Sequence, residues 1–220
     1  GPACVEVDRA ILGDGTVIER AAFTVRNGRF GEVGRQGELP IPKGAGRVRL
    51  QGKTVMPLIV DIHGHAGFGK DGAFAPEHYT HDNIVDALRR WEYYGVGAVL
   101  SLGTDMGSET FAIRDAQRRG TIDGARLFVA GRGFVAPGGG PTVAPLQHVP
   151  HEVDRPALAR ILVRDNAERR VDMIKVWVDD RLHTVPKLAP DVYRAIIGSL
   201  DGPLFVHWLG ETFHPALAGY

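Results

Sequence analysis

His63 and His65 stand one residue apart, across Gly64, at the end of the apolar run Val55 to Ile62. Two imidazoles side by side at a strand end make half of a metal site, and nitrogen ligands of this kind suit zinc. The spacing on its own also fits two unrelated loop histidines. Lys175 sits in the middle of a second apolar run, VDMIKVWVDD. Lysine is almost never fully buried without a partner. Burial favours its neutral amine, which can act as a nucleophile or be modified. A lysine that lays its stem on apolar surface and keeps its head in water is the other reading. His207 ends a third run, PLFVHW. A lone histidine on a strand is commonly a satisfied core residue, but His207 repeats the placement of His63 and His65.

These residues need elements to hold them. The run Val55 to Ile62 is short and rich in β-branched residues, which predicts a strand buried on both faces. Side chains alternate along a strand, so Asp61, His63 and His65 are expected on one face. From about residue 55, strand-like runs alternate with helical stretches, which implies βα units and a parallel sheet. The predicted strands are 55–62, 96–104, 126–134, 172–179 and 203–208. The predicted helices are 81–94, 108–119, 154–169 and 190–200. His81 or Asp82 is the expected cap of the first helix, and Pro156 and Pro190 stand in the first turns of the last two. In a βα barrel, the C-terminal strand ends converge on one active site. The predicted fold class is therefore α/β, a (β/α)8 TIM-type barrel of which about five βα units are present.

Residues 1–54 read differently. Short β-like runs are separated by the hairpin signals Asp14-Gly15 and Asn27-Gly28. Val5, Val7, Phe23, Val25, Phe30 and Val33 supply too little apolar surface for an independent core. This section is expected to be a small N-terminal β-sandwich portion, with residues 55–220 forming the barrel part. Gly138-Gly139-Gly140-Pro141 lacks the Lys-Ser/Thr that follows in a phosphate loop, so a loop at the mouth of the site is expected instead.

Composition narrows the partners. Lysine plus arginine number 26 and aspartate plus glutamate 26, so no charge excess invites nucleic acid or an anionic membrane surface. Cys4 is the sole cysteine, which excludes an intrachain disulfide and a cysteine-based zinc cluster. No apolar run approaches the ~20 residues of a membrane span. Gly1-Pro2 resembles the scar of a cleaved tag. The expected partner is a small-molecule substrate, with no nucleic acid and no membrane, and the expected location is cytoplasmic.

Several segments resemble the metal-dependent amidohydrolases. KTVMPLIVDIHGH is similar to the first barrel strand of that superfamily, and NGRFGEVG to a glycine-turn hairpin of its N-terminal β-sandwich. WEYYGVGAVLSLGTD, IKVWVDDR and TVPKLAPDVYRAII resemble its prolidase-like and imidazolonepropionase-like branch. The resemblance covers nearly the whole chain. It implies that His63 and His65 hold one metal, that Lys175 is carboxylated and bridges two, and that His207 holds the second. It further implies two divalent ions, zinc by ligand type, with Asp61 orienting a ligand. The family's sixth-strand histidine and eighth-strand proton-shuttling aspartate would fall beyond Tyr220, and His214 is a poor substitute. A homo-oligomer, or completion by further chain, is therefore expected.

Hydrolysis of an amide bond in a peptide-like or N-acyl amino acid substrate is the leading expectation. A noncatalytic chain that binds metal or a partner, and a lactone or phosphotriester hydrolase on the same site, are the alternatives. Asp105, Arg132 and Arg181 follow strands two, three and four and are expected at the pocket rim. Arg132 or Arg181 would clamp a substrate carboxylate, or else pair structurally with Asp179 or Asp180.

Overall fold

A computed structural model describes residues 1–200 and the strand Leu204–His207. The chain divides into two compact units, Gly1–Leu58 and Ile59–Tyr220.

The first unit is one four-stranded sheet in the order β3-β2-β1-β4. Its strands are β1 (Ala3–Ile11), β2 (Val17–Arg26), β3 (Arg29–Arg35) and β4 (Gly46–Val55). Both hairpin signals act as their chemistry requires. Asp14 Oδ1 accepts from Thr16 N–H at 2.8 Å, closing the β1–β2 turn. Asn27 and Gly28 both adopt positive φ, at 52° and 71°, which is the backbone of a two-residue primed turn. Val7, Ala10, Ala21 and Phe23 form a small cluster on one face. Phe30, counted as apolar content from the sequence, is exposed and meets Phe23 edge-on with centroids 5.4 Å apart.

The second unit contains the βα repeats. Its strands are β5 (Ile59–Gly64), β6 (Gly69–Lys70), β7 (Ala73–Phe74), β8 (Val96–Ser101), β9 (Arg126–Val129), β10 (Phe134–Val135), β11 (His151–Glu152), β12 (Ile174–Trp177) and β13 (Leu204–His207). Its helices are α1 (His81–Tyr93), α2 (Glu109–Arg118), α3 (Pro156–Glu168) and α4 (Pro190–Ile197). Two parallel sheets, β5-β8-β9 and β11-β10-β12-β13, carry the repeats, and β6 and β7 form a separate hairpin. The two parallel sheets meet where Asp172 N–H donates to Val129 O at 2.8 Å and Gly133 N–H donates to Gly103 O at 2.9 Å. Among the described residues these sheets are open rather than closed into a barrel.

The helices bury one face each, as their 3.6-residue apolar spacing dictates. Ile84, Val85 and Leu88 of α1 and Ile113 of α2 pack with Val99, Leu127 and Val129. Ala159 and Val163 of α3 and Val192 and Ile196 of α4 pack with Phe134, Ile174 and Val176. The cap of α1 is Thr80, whose side chain accepts from Asn83 N–H, rather than His81 or Asp82. Pro156 and Pro190 open α3 and α4, where a missing N–H costs nothing.

Two strand expectations are corrected. The run 55–62 is not one strand: Val55 ends β4 and Ile59 begins β5. Nor is β5 buried on both faces, since Ile59, Val60 and Ile62 are 55%, 59% and 61% exposed. The cause is that β5 pairs with β8 alone among the described residues. The third strand, expected over 126–134, is broken into β9 and β10. Gly131, at φ 68°, lies in the break, and its backbone conformation is foreign to a strand.

Arg114 ties α2 to the end of α3. Its side chain is buried, and Nη1 donates to Arg170 O at 2.6 Å. Nη2 donates to Arg169 O, Nε donates to Asp115, and Asp172 lies 3.7 Å from Nη1. Arg114→Ala should cost about 1–3 kcal/mol, because the Arg169 and Arg170 carbonyls lose a buried donor while Asp172 keeps Arg118 at 3.0 Å. A denaturant midpoint within error of the parent's would refute this.

Candidate metal centre

The first-strand histidines do meet. The His63 and His65 rings pack edge to face with centroids 5.4 Å apart. Asp61 shapes the strand end, its Oδ1 accepting from His63 N–H at 2.9 Å. Gly64 lets the strand end pack closely on β8, since a Cβ there would sit 2.7 Å from Val99 Cγ2. His65 Nδ1 is hydrogen-bonded to the buried Thr104 hydroxyl at 2.9 Å. That bond fixes the ring and turns the choice of ligand atom toward Nε2.

Lys175 is fully buried, at 0% exposure, on the face of β12 that also carries Trp177. Its Nζ lies 4.7 Å from the centroid of the Trp177 ring. Burial brings the amine down to about 7; Asp179 opposes the shift and Arg181 adds to it. Its charge reaches both histidines. Burial and then Lys175 lower His63, while burial, His63 and Lys175 bring His65 to about 4. Both imidazoles are thus held below their ordinary range, in the unprotonated form that can ligate.

His207 ends β13, where its Cα is in register with that of Trp177. The His207 side chain and His214 lie outside the described residues. Among the described residues, no group of three or more His, Cys, Asp or Glu is arranged to hold a metal.

The residues expected at the rim behave differently. Asp105 is buried, not on a rim. Its carboxylate accepts from Ser101 Oγ at 2.5 Å and from Gly131 N–H at 2.8 Å, joining the ends of β8 and β9. Burial raises it to about 7 against the pull of those hydrogen bonds. Arg181 Nε lies 3.2 Å from Asp179 Oδ1, the structural pairing that was the alternative. Arg132 donates from Nε to Val149 O and from Nη2 to Pro150 O, pinning the loop that contains Gly138–Gly140. It also borders a cleft of about 410 Å³ with Met106, His148 and Val149. A second cleft, of about 470 Å³, runs from His65 past Lys70 and Phe74 to Trp91. Either volume suits a small molecule.

Sequence reasoning missed Thr104, Trp177 and the glycines beside Lys175. A threonine that follows a glycine at a strand end carries no chemical signature. Trp177 reads as one more apolar residue in its run.

Among solved structures, the fold is that of the prolidase-like amidohydrolases. A Xaa-Pro dipeptidase crystallised with methionine in its active site superposes with TM-score 0.77 and 20% identity, over 94% of this chain and 57% of that one. A prolidase complexed with N-methylphosphonate-L-proline gives 0.74 and 19%, over 94% and 56%. Ochratoxinase from A. niger gives 0.69 and 19%, over 90% and 53%. The chain thus spans about half the length of the structures it matches. No protein-family model and no curated protein matches the sequence. Among the described residues no helix is long and apolar enough to cross a membrane.

Proposed function

We propose that this chain carries the first half of a metal-dependent hydrolase site acting on amide bonds of peptide-like or N-acyl amino acid substrates. The supporting observation is a fully buried lysine on β12 in the same unit as two strand-end histidines whose rings lie 5.4 Å apart. The names of the matched structures, a dipeptidase, a prolidase and a phenylurea hydrolase among them, favour carbon–nitrogen bonds over lactones or phosphotriesters.

The donor set fits divalent cations. His63 and His65 are neutral imidazoles, the form that ligates. Lys175, brought to about 7, has a neutral amine in a large share of molecules at physiological pH. That amine adds to carbon dioxide: an N–C bond forms, one proton leaves to solvent, and the product is an anionic carbamate with two oxygens. His63, His65, carboxylated Lys175 and His207 would hold two ions, zinc by ligand type. Bound there, such ions supply Lewis acidity toward the scissile carbonyl and lower the pKa of an attacking water. Thr104 keeps the His65 ring in one orientation, and Asp61 braces the backbone of His63. Arg132, at the wall of its cleft, is the candidate to orient a substrate carboxylate.

We further infer that a further βα unit or a second copy of the chain covers β5, whose apolar side chains are exposed. A cytoplasmic setting accords with the single, reduced cysteine.

The test uses the complete protein, with this half-site completed, loaded with zinc and bicarbonate. Elemental analysis should find about two zinc ions per chain, and Xaa-Pro dipeptides or N-acyl amino acids should be the preferred substrates. No bound metal after loading would sink the proposal. Metal with turnover confined to lactones or phosphotriesters would move the substrate class.

A further inference from the structure

Lysine is an awkward residue to immobilise. Its stem has four rotatable bonds, and fixing them costs side-chain entropy. Lys175 is nevertheless wholly buried, so something must shape its path.

Two glycines do so from the neighbouring strand ends. At Gly103, with φ at 83°, an added Cβ would fall 2.5 Å from Lys175 Cγ and 2.8 Å from Trp177 Cη2. At Gly133 a Cβ would collide with Trp177 Cζ3 and come within 3.0 Å of Lys175 Cγ. Both glycines therefore face the same pair of side chains. Together they open a slot that a lysine stem and an indole fill side by side. Gly103 C=O stays in the network, since Gly133 N–H donates to it at 2.9 Å. The slot is thus part of the sheet and not a loose gap.

Trp177 is the wall of that slot. It is buried, two residues along β12 from Lys175 and on the same face. The Nζ lies over its ring at 4.7 Å, inside the reach of a cation–π contact. A broad, rigid ring limits the amine to a small region.

We propose that Trp177 is a positioning residue of the candidate metal centre: seated against Gly103 and Gly133, its indole confines the Lys175 amine. This rests on the reading of Lys175 as a metal-bridging group. In a purely structural role Trp177 would only fill core volume, and any apolar side chain of similar bulk would serve.

The experiment has two readouts, one without metal. In the metal-free full chain labelled with carbon-13 lysine, the Lys175 side-chain resonances should be displaced by the ring current of the indole. Trp177→Leu should move them toward ordinary lysine positions, and Trp177→Phe should move them less. In zinc-binding titrations against a competing chelator, Trp177→Leu should weaken binding by about 10- to 100-fold, the range for groups that orient metal ligands. Trp177→Phe should stay near the parent. Gly103→Ala should weaken zinc binding as Trp177→Leu does, by pushing the stem aside. Thermal melts monitor folding of each variant.

Undisplaced Lys175 resonances in the parent chain would overturn the proposal, as would unchanged zinc affinity in a folded Trp177→Leu chain. If Trp177→Leu does not fold, the parent resonances and Trp177→Phe decide. A parent chain with displaced Lys175 resonances that takes up no zinc would defeat the metal reading while leaving the positioning of the amine established.

Discussion

Lys175→Ala should abolish hydrolysis and lower the zinc content from about two ions per chain to at most one. The bridging anion is lost, and the two remaining first-strand histidines are only half of a site. If the metal pair contributes several kcal/mol to transition-state stabilisation, the expected fall in kcat/KM is about 10³-fold or more. The variant should fold, since alanine removes a buried amine together with its desolvation cost, though the slot left beside Trp177 is a cavity. Short carboxylic acids added to Lys175→Ala should restore part of the zinc binding by entering that cavity and presenting the missing oxygens. Carbon-13 bicarbonate should give a carbamate resonance in the parent and none in the variant. Retention of two zinc ions by a folded Lys175→Ala chain would remove Lys175 from the centre.

The candidate donors stand out in the sequence because their chemistry is local. His63 and His65 share one strand end, and a lysine inside an apolar run is conspicuous on composition alone. The alternation of strands and helices was equally plain, since each helix shows its period and two of them, α3 and α4, begin at a proline. What sequence could not show depends on neighbours. β5 was expected to be buried because its residues are apolar, but burial also needs a partner on each side, and β5 pairs only with β8 among the described residues. Asp105 follows a strand and so was placed at the rim. Its carboxylate instead turns inward to bond Ser101 and Gly131, residues 4 and 26 positions away. Arg181 had two partners on offer in the sequence, and only three-dimensional placement chose Asp179. Trp177 and the two glycines act by shape, and shape between strands leaves no pattern along any one of them.

The apolar edge leads to the second large effect. Ile59, Val60 and Ile62 are each more than half exposed on a strand with one described neighbour. An unpaired apolar edge is a template for another chain. Covering one such side chain completely is worth about 1.5–3 kcal/mol, so covering the exposed part of three contributes several kcal/mol before any backbone hydrogen bond is counted. That is a sizeable fraction of the 5–15 kcal/mol that holds an ordinary domain together. The 220-residue chain should therefore self-associate at micromolar concentration, which sedimentation velocity would show as a mass above 23.8 kDa. Val60→Lys puts a charge on the edge, which natural sheets use to block pairing. It should return the chain toward the monomer while leaving β12, and so Lys175, untouched. A further βα unit supplied as a separate polypeptide should compete with self-association and raise the melting temperature by mass action. A parent chain that stays monomeric at high concentration, with Val60→Lys indistinguishable from it, would show that this edge needs no cover.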